Sequence, residues 1–269
     1  MDEKILKRIY ESLNKGEKVA LVTVTNSQGS TPRKRGAIMA VWEDGKILGS
    51  VGGGKIEYEV IAKAVECIKK SEDSEFDYKL NESGNLGMQC GGQAKGFIKI
   101  FNPRPKLIIA GGGHIGQQLF KLAKILDFYT VILDDREEFA NSEIFEGADE
   151  VIVGDIGLKL SNYKLEEDTY VVIVTRGHKS DEGALEAVVG KKANYIGMIG
   201  SSKKILHIMN NLIEKGISKE ALQKVYAPVG LNISSQMPAE IAFGIMSEIL
   251  LIKNKGSLEH LRDIKKINL

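Results

Sequence analysis

The chain has 269 residues and a formal net charge of +1 at pH 7, and 43% of its residues are hydrophobic and 27% charged. This composition is typical of a globular protein with one large or two modest domains, and the small net charge argues against bulk binding to nucleic acid or membrane surfaces. No apolar run reaches the roughly 18 residues of a membrane helix, and the charged N-terminus is unlike a signal peptide, so we expect a cytoplasmic protein. With 2 cysteines and 4 histidines, neither a disulfide framework nor a structural zinc site is expected.

Residues 1–102 predict an α+β domain. The spacing of Ile5, Ile9 and Leu13 indicates an opening helix, and Asp44-Gly45 between two apolar runs indicates a β-hairpin. The other elements predicted here are a strand over 19–24, a helix over 55–70 and a strand over 93–101. Prolines at both Pro103 and Pro105 interrupt helix and sheet alike, so a domain boundary is expected in this segment.

Residues 106–269 predict a second domain, in which short apolar strands alternate with helices. The predicted strands are 106–110, 130–133, 151–153, 170–175 and 195–199. Such alternation predicts a Rossmann-like, doubly wound parallel sheet, so the expected fold class is α/β. A last apolar helix begins at Pro238, where proline suits the first helical turn, and a polar tail follows it.

The first strand of this second domain runs into a glycine-rich turn that precedes an amphipathic helix. Gly111, Gly113 and Gly116 form a G-x-G-x-x-G pattern, and Asp134 follows the next strand at about the usual spacing of 20 residues. The turn therefore predicts pyrophosphate binding at the helix N-terminus, with Asp134 accepting ribose hydroxyls. His114 would contact a phosphate or a second ligand, or be an ordinary surface histidine. A vestigial pocket, or one used for another ligand, is the alternative for the whole turn.

Two further loops follow predicted strands of the same domain. Ligands bind outside the carboxyl ends of strands in open α/β sheets, so Arg176 is a candidate anion ligand and His178 a candidate proton carrier. Ser201 or Ser202 is placed to cap the next helix, with Lys203 as a second anion contact. The alternatives are a solvated loop for Arg176 and His178 and simple capping for Ser201.

The first domain contains its own candidate sites. Gly52, Gly53 and Gly54 precede a helix and could present backbone amides to an anion, with Arg33 supplying positive charge; a plain turn is the alternative. Cys90 lies among glycines in a loop, where nearby amides could lower the pKa of a thiol, so it is a candidate sulfur or metal contact, and a buried inert thiol is the alternative. Cys67 lies on the apolar stripe of a helix and is interpreted as a core residue.

Taken together, these motifs resemble the XdhC/CoxI family of accessory factors for xanthine dehydrogenase and carbon monoxide dehydrogenase. The resemblance covers nearly the whole chain. The motifs that carry it, in chain order, are Gly29-Ser-Thr-Pro-Arg33, Gly49-Ser-Val-Gly-Gly-Gly54, Cys90-Gly-Gly92, Gly111-Gly-Gly-His-Ile-Gly116, Asp134-Asp-Arg136, Gly177-His178, Tyr195-Ile-Gly-Met-Ile-Gly-Ser201, Ala227-Pro-Val-Gly-Leu231 and Pro238-Ala-Glu-Ile-Ala242.

This resemblance implies a chaperone that binds the molybdenum cofactor (molybdopterin), supports its sulfuration and passes it to an apo molybdenum hydroxylase. It also implies a cysteine desulfurase as partner, a homodimer, and Cys90 near the metal or the transferred sulfur. The chain departs from the family pattern at Arg176, where a histidine is frequent, and at Asn232-Ile233-Ser234, where Asp-Ile-Gly is frequent. Both departures lie near the expected ligand crevice, so the ligand and its handling could differ from those of the family.

Two rival functions remain open at this point. An NAD(P)-dependent oxidoreductase would use the glycine-rich turn for its cofactor and would need a proton donor near the nicotinamide. A nucleotide-sensing module would need the turn but not Cys90. We expect an accessory or maturation factor rather than an independent enzyme, because a chaperone gives the Cys90 loop a role.

Overall fold

A computed structural model of the chain describes residues 2–28, 35–80, 92–233 and 236–265. The chain forms two compact units, Met1–Arg104 and Pro105–Leu269. No helix within the described residues is both long and apolar enough to cross a bilayer.

The first unit is an antiparallel sheet with helices on its two faces. Its elements are α1 (Asp2–Asn14), β1 (Val19–Gln28), β2 (Ile38–Trp42), β3 (Ile47–Gly49), α2 (Gly54–Lys70), β4 (Ser74–Leu80) and β5 (Gly92–Phe101), with strand order β3-β2-β1-β5-β4. Alternate residues of β1 face opposite sides, so Val22 packs with α2 and Val19 packs with α1. The mixed α+β character expected for this region is confirmed.

Strand β4 was missed by sequence reasoning. Its sequence, SEFDYKL, is rich in charged residues that are uncommon in strands. It lies at the edge of the sheet, where charged side chains remain in solvent and hinder edge-to-edge pairing. Phe76 and Tyr78 alternate inward and stack with ring centroids 5.7 Å apart, whereas Asp77 points outward and pairs with Lys95 at 2.8 Å.

The second unit is a Rossmann-type domain, as the sequence predicts. Its elements are β6 (Lys106–Ala110), α3 (His114–Ile125), β7 (Tyr129–Asp134), a 3₁₀ turn (Glu137–Phe139), β8 (Glu150–Val153), α4 (Ile156–Asn162), β9 (Thr169–Ile173), α5 (His178–Val188), β10 (Tyr195–Met198), α6 (Ser202–Glu214), α7 (Lys219–Leu222), α8 (Pro238–Lys253) and α9 (Leu261–Ile264). The five strands are parallel in the order β10-β9-β6-β7-β8.

Helices cover both faces of this parallel sheet, which explains the nearly continuous apolar strands. Along β6, Leu107 and Ile109 pack with α3 and α8, whereas Ile108 and Ala110 pack with α4, α5 and α6. The order of strands reverses direction between β6 and β9, so the crevice at their carboxyl ends is the place where such folds bind ligands.

Candidate functional site

The glycine-rich turn between β6 and α3 lies at the carboxyl edge of the parallel sheet. A Cβ atom at Gly111, where φ is +121°, would lie 2.5 Å from the Val174 carbonyl oxygen, and one at Gly116 would overlap the Gly111 carbonyl. Gly113 is different, because no described atom lies within 4 Å of its Cβ position. Gly113 is also the N-cap of α3, and no described side chain caps that helix end. The turn therefore combines close packing at two glycines with open space and backbone donors at the third.

Gln117 keeps the donors of this helix end available. It lies four residues after the N-cap glycine, and its side-chain Nε2 donates to the Gly112 carbonyl at 3.2 Å. A carboxylate at this position would instead compete for the first backbone amides of the helix. The first turn of α3 thus presents backbone donors beside open space, which suits a phosphate or another anion.

Asp134, at the end of β7, is buried and bonded to the turn. Its carboxylate accepts hydrogen bonds from the Gly112 amide at 2.8 Å and from the backbone amide, Nε and Nη2 of Arg136 at 3.1, 3.0 and 3.2 Å. Burial raises the pKa of Asp134, but the bonds from Arg136 and Gly112 outweigh burial and lower that pKa below its ordinary value. The carboxylate therefore fixes the turn. Its hydrogen bond with Gly112 was not anticipated from the sequence.

The segment after β7 packs tightly over this turn. A Cβ atom at Gly112 would overlap the Phe139 carbonyl, although Gly112 is not one of the three glycines of the G-x-G-x-x-G pattern. The Arg136 guanidinium lies 3.9 Å from the centroid of the Phe139 ring. Arg136 is consequently held from two sides, by the Asp134 carboxylate and by an aromatic face.

A pocket of about 330 Å³ opens at the carboxyl ends of β7 and β9. The described residues that line it are Asp134, Asp135, Arg136, Ile156, Thr175, Arg176, Gly177 and Ser180. The Asp135 side chain is 52% exposed and lies 3.5 Å from Arg136 Nε, so its carboxylate remains accessible to a ligand. Two guanidinium groups, an accessible carboxylate and two hydroxyls make this a site for a polar ligand with several hydrogen-bonding groups.

The Thr175–His178 loop contributes one wall of this pocket. Arg176 is exposed and lines it, whereas His178, the first residue of α5, is exposed but not among the lining residues. The Thr175 hydroxyl donates to Asp181 Oδ1 at 2.6 Å. His114 is likewise exposed, at the start of α3. The pocket thus includes Arg176 but neither of the two predicted histidines.

The loop after β10 contributes an unexpected lysine. Ser201 caps α6 by accepting from the Lys204 amide at 3.3 Å, and the Lys203 side chain is exposed. The side chain that turns inward is that of Lys204, which forms an ion pair with the fully buried Asp181. Helical periodicity could have identified Asp181, since it shares the buried stripe of α5 with Leu185 and Val188.

In the first unit, the loop that precedes α2 has an internal anion. Glu57 Oε2 accepts from the Ser50 hydroxyl at 2.6 Å and from the Val51 and Gly53 amides at 3.1 and 3.2 Å. Burial raises the pKa of Glu57, but these bonds outweigh burial and lower that pKa. The amide of Gly53, the N-cap of α2, therefore already binds a carboxylate. No described side chain accepts from the amide of Gly113, the N-cap of α3, where the carboxylate of Asp134 binds the preceding Gly112 amide instead.

Several predicted residues lie outside the described residues, namely Arg33, Cys90 and Ser234. Cys67 is buried against the sheet in α2, which confirms its interpretation as a core residue. Within the ranges that the structure covers, no three His, Cys, Asp or Glu side chains are grouped so as to hold a metal ion.

Comparison with known families gives two matches that together span both units. The model of the XdhC Rossmann domain matches residues 107–249, and the model of the XdhC and CoxI family matches residues 12–79. A crystal structure of a xanthine dehydrogenase from Bacillus halodurans is similar to the chain with a TM-score of 0.53 and 21% sequence identity. The similarity covers 96% of this chain and 98% of that one, and at this identity it supports the fold alone.

Three curated relatives are similar in sequence. The uncharacterized protein YqeB of Escherichia coli is 31% identical, over 88% of this chain and 44% of its own length. A probable xanthine dehydrogenase subunit of Bacillus subtilis is 26% identical, over 59% of this chain and 46% of its own length. The chain thus spans less than half the length of these two relatives. The molybdenum cofactor insertion chaperone PaoD of Escherichia coli is 23% identical, over 93% of this chain and 88% of its own length.

Proposed function

Because the chain belongs to the XdhC and CoxI family, we propose that it is a chaperone that binds the molybdenum cofactor and delivers it to an apo molybdenum hydroxylase. The relative PaoD, named as a molybdenum cofactor insertion chaperone, aligns with both units over nearly the full length of each protein. The relative of Bacillus subtilis is named as a probable subunit of xanthine dehydrogenase, which is consistent with a molybdenum hydroxylase as client.

The observation that carries this proposal is the open helix end at Gly113 beside a polar pocket. The molybdenum cofactor has a phosphate, or a nucleotide attached through phosphates, on its pterin. The first amides of α3 would hold that phosphate, and Asp134 ties the turn to the pocket, because it bonds to Gly112 and also lines the pocket. A helix N-terminus next to a pocket of about 330 Å³ suits a ligand with one phosphate end and one larger polar end.

Within this pocket we assign different roles to the two neighbouring carboxylates. Asp134 has four donors on its two oxygens and is 2% exposed, so it organises the turn instead of meeting the ligand directly. Asp135 is accessible and lines the same pocket, so it is the better acceptor for hydroxyl or ring N–H groups of the ligand. Arg176, on the opposite wall, would bind an anionic group of the ligand.

The finer parts of the proposal depend on the resemblance to the family. A cysteine desulfurase would supply sulfur while the cofactor is bound, Cys90 would contact the metal or the incoming sulfur, and the protein would form a homodimer. NAD(P) is the competing ligand for the turn, and it would make the protein an oxidoreductase or a nucleotide sensor.

Anaerobic gel filtration with purified molybdenum cofactor tests the proposal. We expect near-stoichiometric co-elution with the wild-type protein, weaker retention by the Cys90→Ala and Asp135→Asn variants, and unchanged retention by Asp44→Asn, which alters an exposed hairpin of the first unit. Loss of client activation by Cys90→Ala would support the sulfur-handling role, and full activation would remove Cys90 from it. If the wild-type protein retains no cofactor but binds NADH, an oxidoreductase or a sensor replaces the chaperone as the proposed function.

A further inference from the structure

A buried ion pair connects the loops that follow β9 and β10. The Asp181 carboxylate, in the first turn of α5, is fully buried, and Lys204, in the first turn of α6, is 16% exposed. Asp181 Oδ1 accepts the Thr175 hydroxyl at 2.6 Å, and Asp181 Oδ2 faces the Lys204 ammonium. Among the described residues Oδ2 accepts no hydrogen bond of ordinary geometry, so the lysine charge is its principal partner.

The local structure makes room for this arrangement. A Cβ atom at Gly200 would lie 3.1 Å from Lys204 Cδ, so the absence of a side chain there leaves space for the lysine to cross towards α5. The Thr175 hydroxyl has a second acceptor, the Gly177 carbonyl at 3.3 Å, but its single hydrogen is directed to the closer Asp181. The Asp181 carboxylate is therefore the main acceptor of the Thr175 hydroxyl.

Stability alone does not account for a buried pair of this kind. Removal of both charges from water is costly, and a well-packed apolar pair in the same place often leaves a protein as stable or more stable. An apolar pair, however, cannot accept a hydrogen bond from the Thr175 hydroxyl. Since Thr175 and Gly177 both line the pocket, the ion pair holds one wall of the pocket in a defined conformation.

We propose that Asp181 and Lys204 are positioning residues, which act through Thr175 to fix the pocket wall 175–177 in its ligand-binding conformation. The inference deepens the proposed function and rests on it for the identity of the ligand. The conformational part rests only on the contacts of Thr175, Asp181 and Lys204, and it can be tested without any ligand.

Amide hydrogen exchange over residues 177–184, at the start of α5, is the primary measurement, because the Asp181 amide there donates to the Gly177 carbonyl of the pocket wall at 3.0 Å. In Lys204→Met we expect exchange in this segment to be at least tenfold faster than in the wild-type protein, with little change over β6 and β7. Lys215→Met is the matched control, because Lys215 also joins α6 to α5, through Glu182 and Glu186 at 2.9 and 2.6 Å, but at an exposed position. Exchange over 177–184 should stay within twofold of wild type in that control.

The double variant Asp181→Leu/Lys204→Met distinguishes a positioning role of the ion pair from a purely stabilising one. It also provides the test if Lys204→Met does not fold. It removes both charges, so the melting temperature should return close to that of the wild-type protein, while exchange over 177–184 remains at least tenfold faster than in the wild-type protein. Recovery of slow exchange together with stability would overturn the proposal, since the pair would then be merely structural.

Binding of ADP by calorimetry adds a readout for the ligand. The expected result is at least fivefold weaker binding by the double variant and unchanged binding by Lys215→Met. Equal affinities for the double variant and the wild-type protein would contradict a positioning role. If none of the proteins binds ADP, recognition of a nucleotide in the proposed function fails, and hydrogen exchange still decides whether Asp181 and Lys204 fix the pocket wall.

Discussion

The contacts of Asp134 predict a large loss of stability when its carboxylate is removed. In Asp134→Ala the Gly112 amide loses its partner in a buried place, which costs about 2 kcal/mol. The two side-chain bonds to Arg136 are also lost. Because the Arg136 side chain is 28% exposed, water replaces part of that interaction, and we count about 1 kcal/mol for it. The expected loss in free energy of unfolding is therefore about 3 kcal/mol for the second unit.

Urea unfolding followed by far-UV circular dichroism measures this loss. With a slope of about 2 kcal/mol per molar urea, the midpoint should fall by roughly 1.5 M. The fluorescence of Trp42, the single tryptophan of the chain, reports on the first unit, where its Nε1 donates to Ser12. A two-unit protein can unfold in two steps, so the tryptophan signal shows whether the first unit is affected.

Asp135→Ala is the matched control for this experiment. Asp135 is the next residue, carries the same charge and is 52% exposed, so its removal should change the free energy of unfolding by less than about 0.5 kcal/mol. Equal shifts for the two variants, or a shift below about 1 kcal/mol for Asp134→Ala, would refute the reasoning. The role of Asp134 as the residue that organises the turn would then be wrong.

Four other changes probe the two glycine loops. Gly113→Val fits open space at an extended backbone position, so we expect the melting temperature to be unchanged and cofactor retention to fall at least tenfold. Gly112→Ala should lower the melting temperature, because its Cβ would meet the Phe139 carbonyl. Gln117→Glu would place a carboxylate near the first amides of α3, and cofactor retention in gel filtration should fall without loss of stability. In Glu57→Gln the free energy of unfolding should fall less steeply at acid pH than it does in the wild-type protein. Because the pKa of Glu57 is lowered in the folded protein, its carboxylate contributes fully to stability above its unfolded pKa of about 4.3, and this contribution is lost as the pH falls through the folded pKa. An unchanged pH dependence in Glu57→Gln would contradict the assigned hydrogen bonds.

The Rossmann unit was predictable because its signals are local and agree with one another. The strand, the glycine turn, the amphipathic helix and the acid at the end of the next strand all lie within about 30 residues, and each has its own pattern. The partners of these residues were not predictable in the same way. Asp134 has the position of a ribose ligand, but its bond to Gly112 depends on how Phe139 and Arg136 fold back over the turn.

Side-chain direction explains the other differences between expectation and structure. Lys203 and Lys204 are neighbours with the same chemistry, and only helical geometry decides that Lys204 reaches across Gly200 to Asp181 while Lys203 stays in solvent. Asp181 was overlooked because a carboxylate on an apolar stripe looks like an interruption of the stripe. In this case it is the residue on which two loops converge, since it contacts Thr175 after β9 and Lys204 after β10.

The two glycine clusters show why a short motif does not by itself predict an anion site. Both lie before a helix and both contain a glycine N-cap, Gly53 for α2 and Gly113 for α3. The residue four positions after each N-cap differs, and it determines whether the N-cap amide is already bonded to a carboxylate. Glu57 is acceptor-only when ionised and takes the amides of its own loop. Gln117 has N–H donors and binds the Gly112 carbonyl, so the Gly113 amide and the first amides of α3 stay available to an external anion.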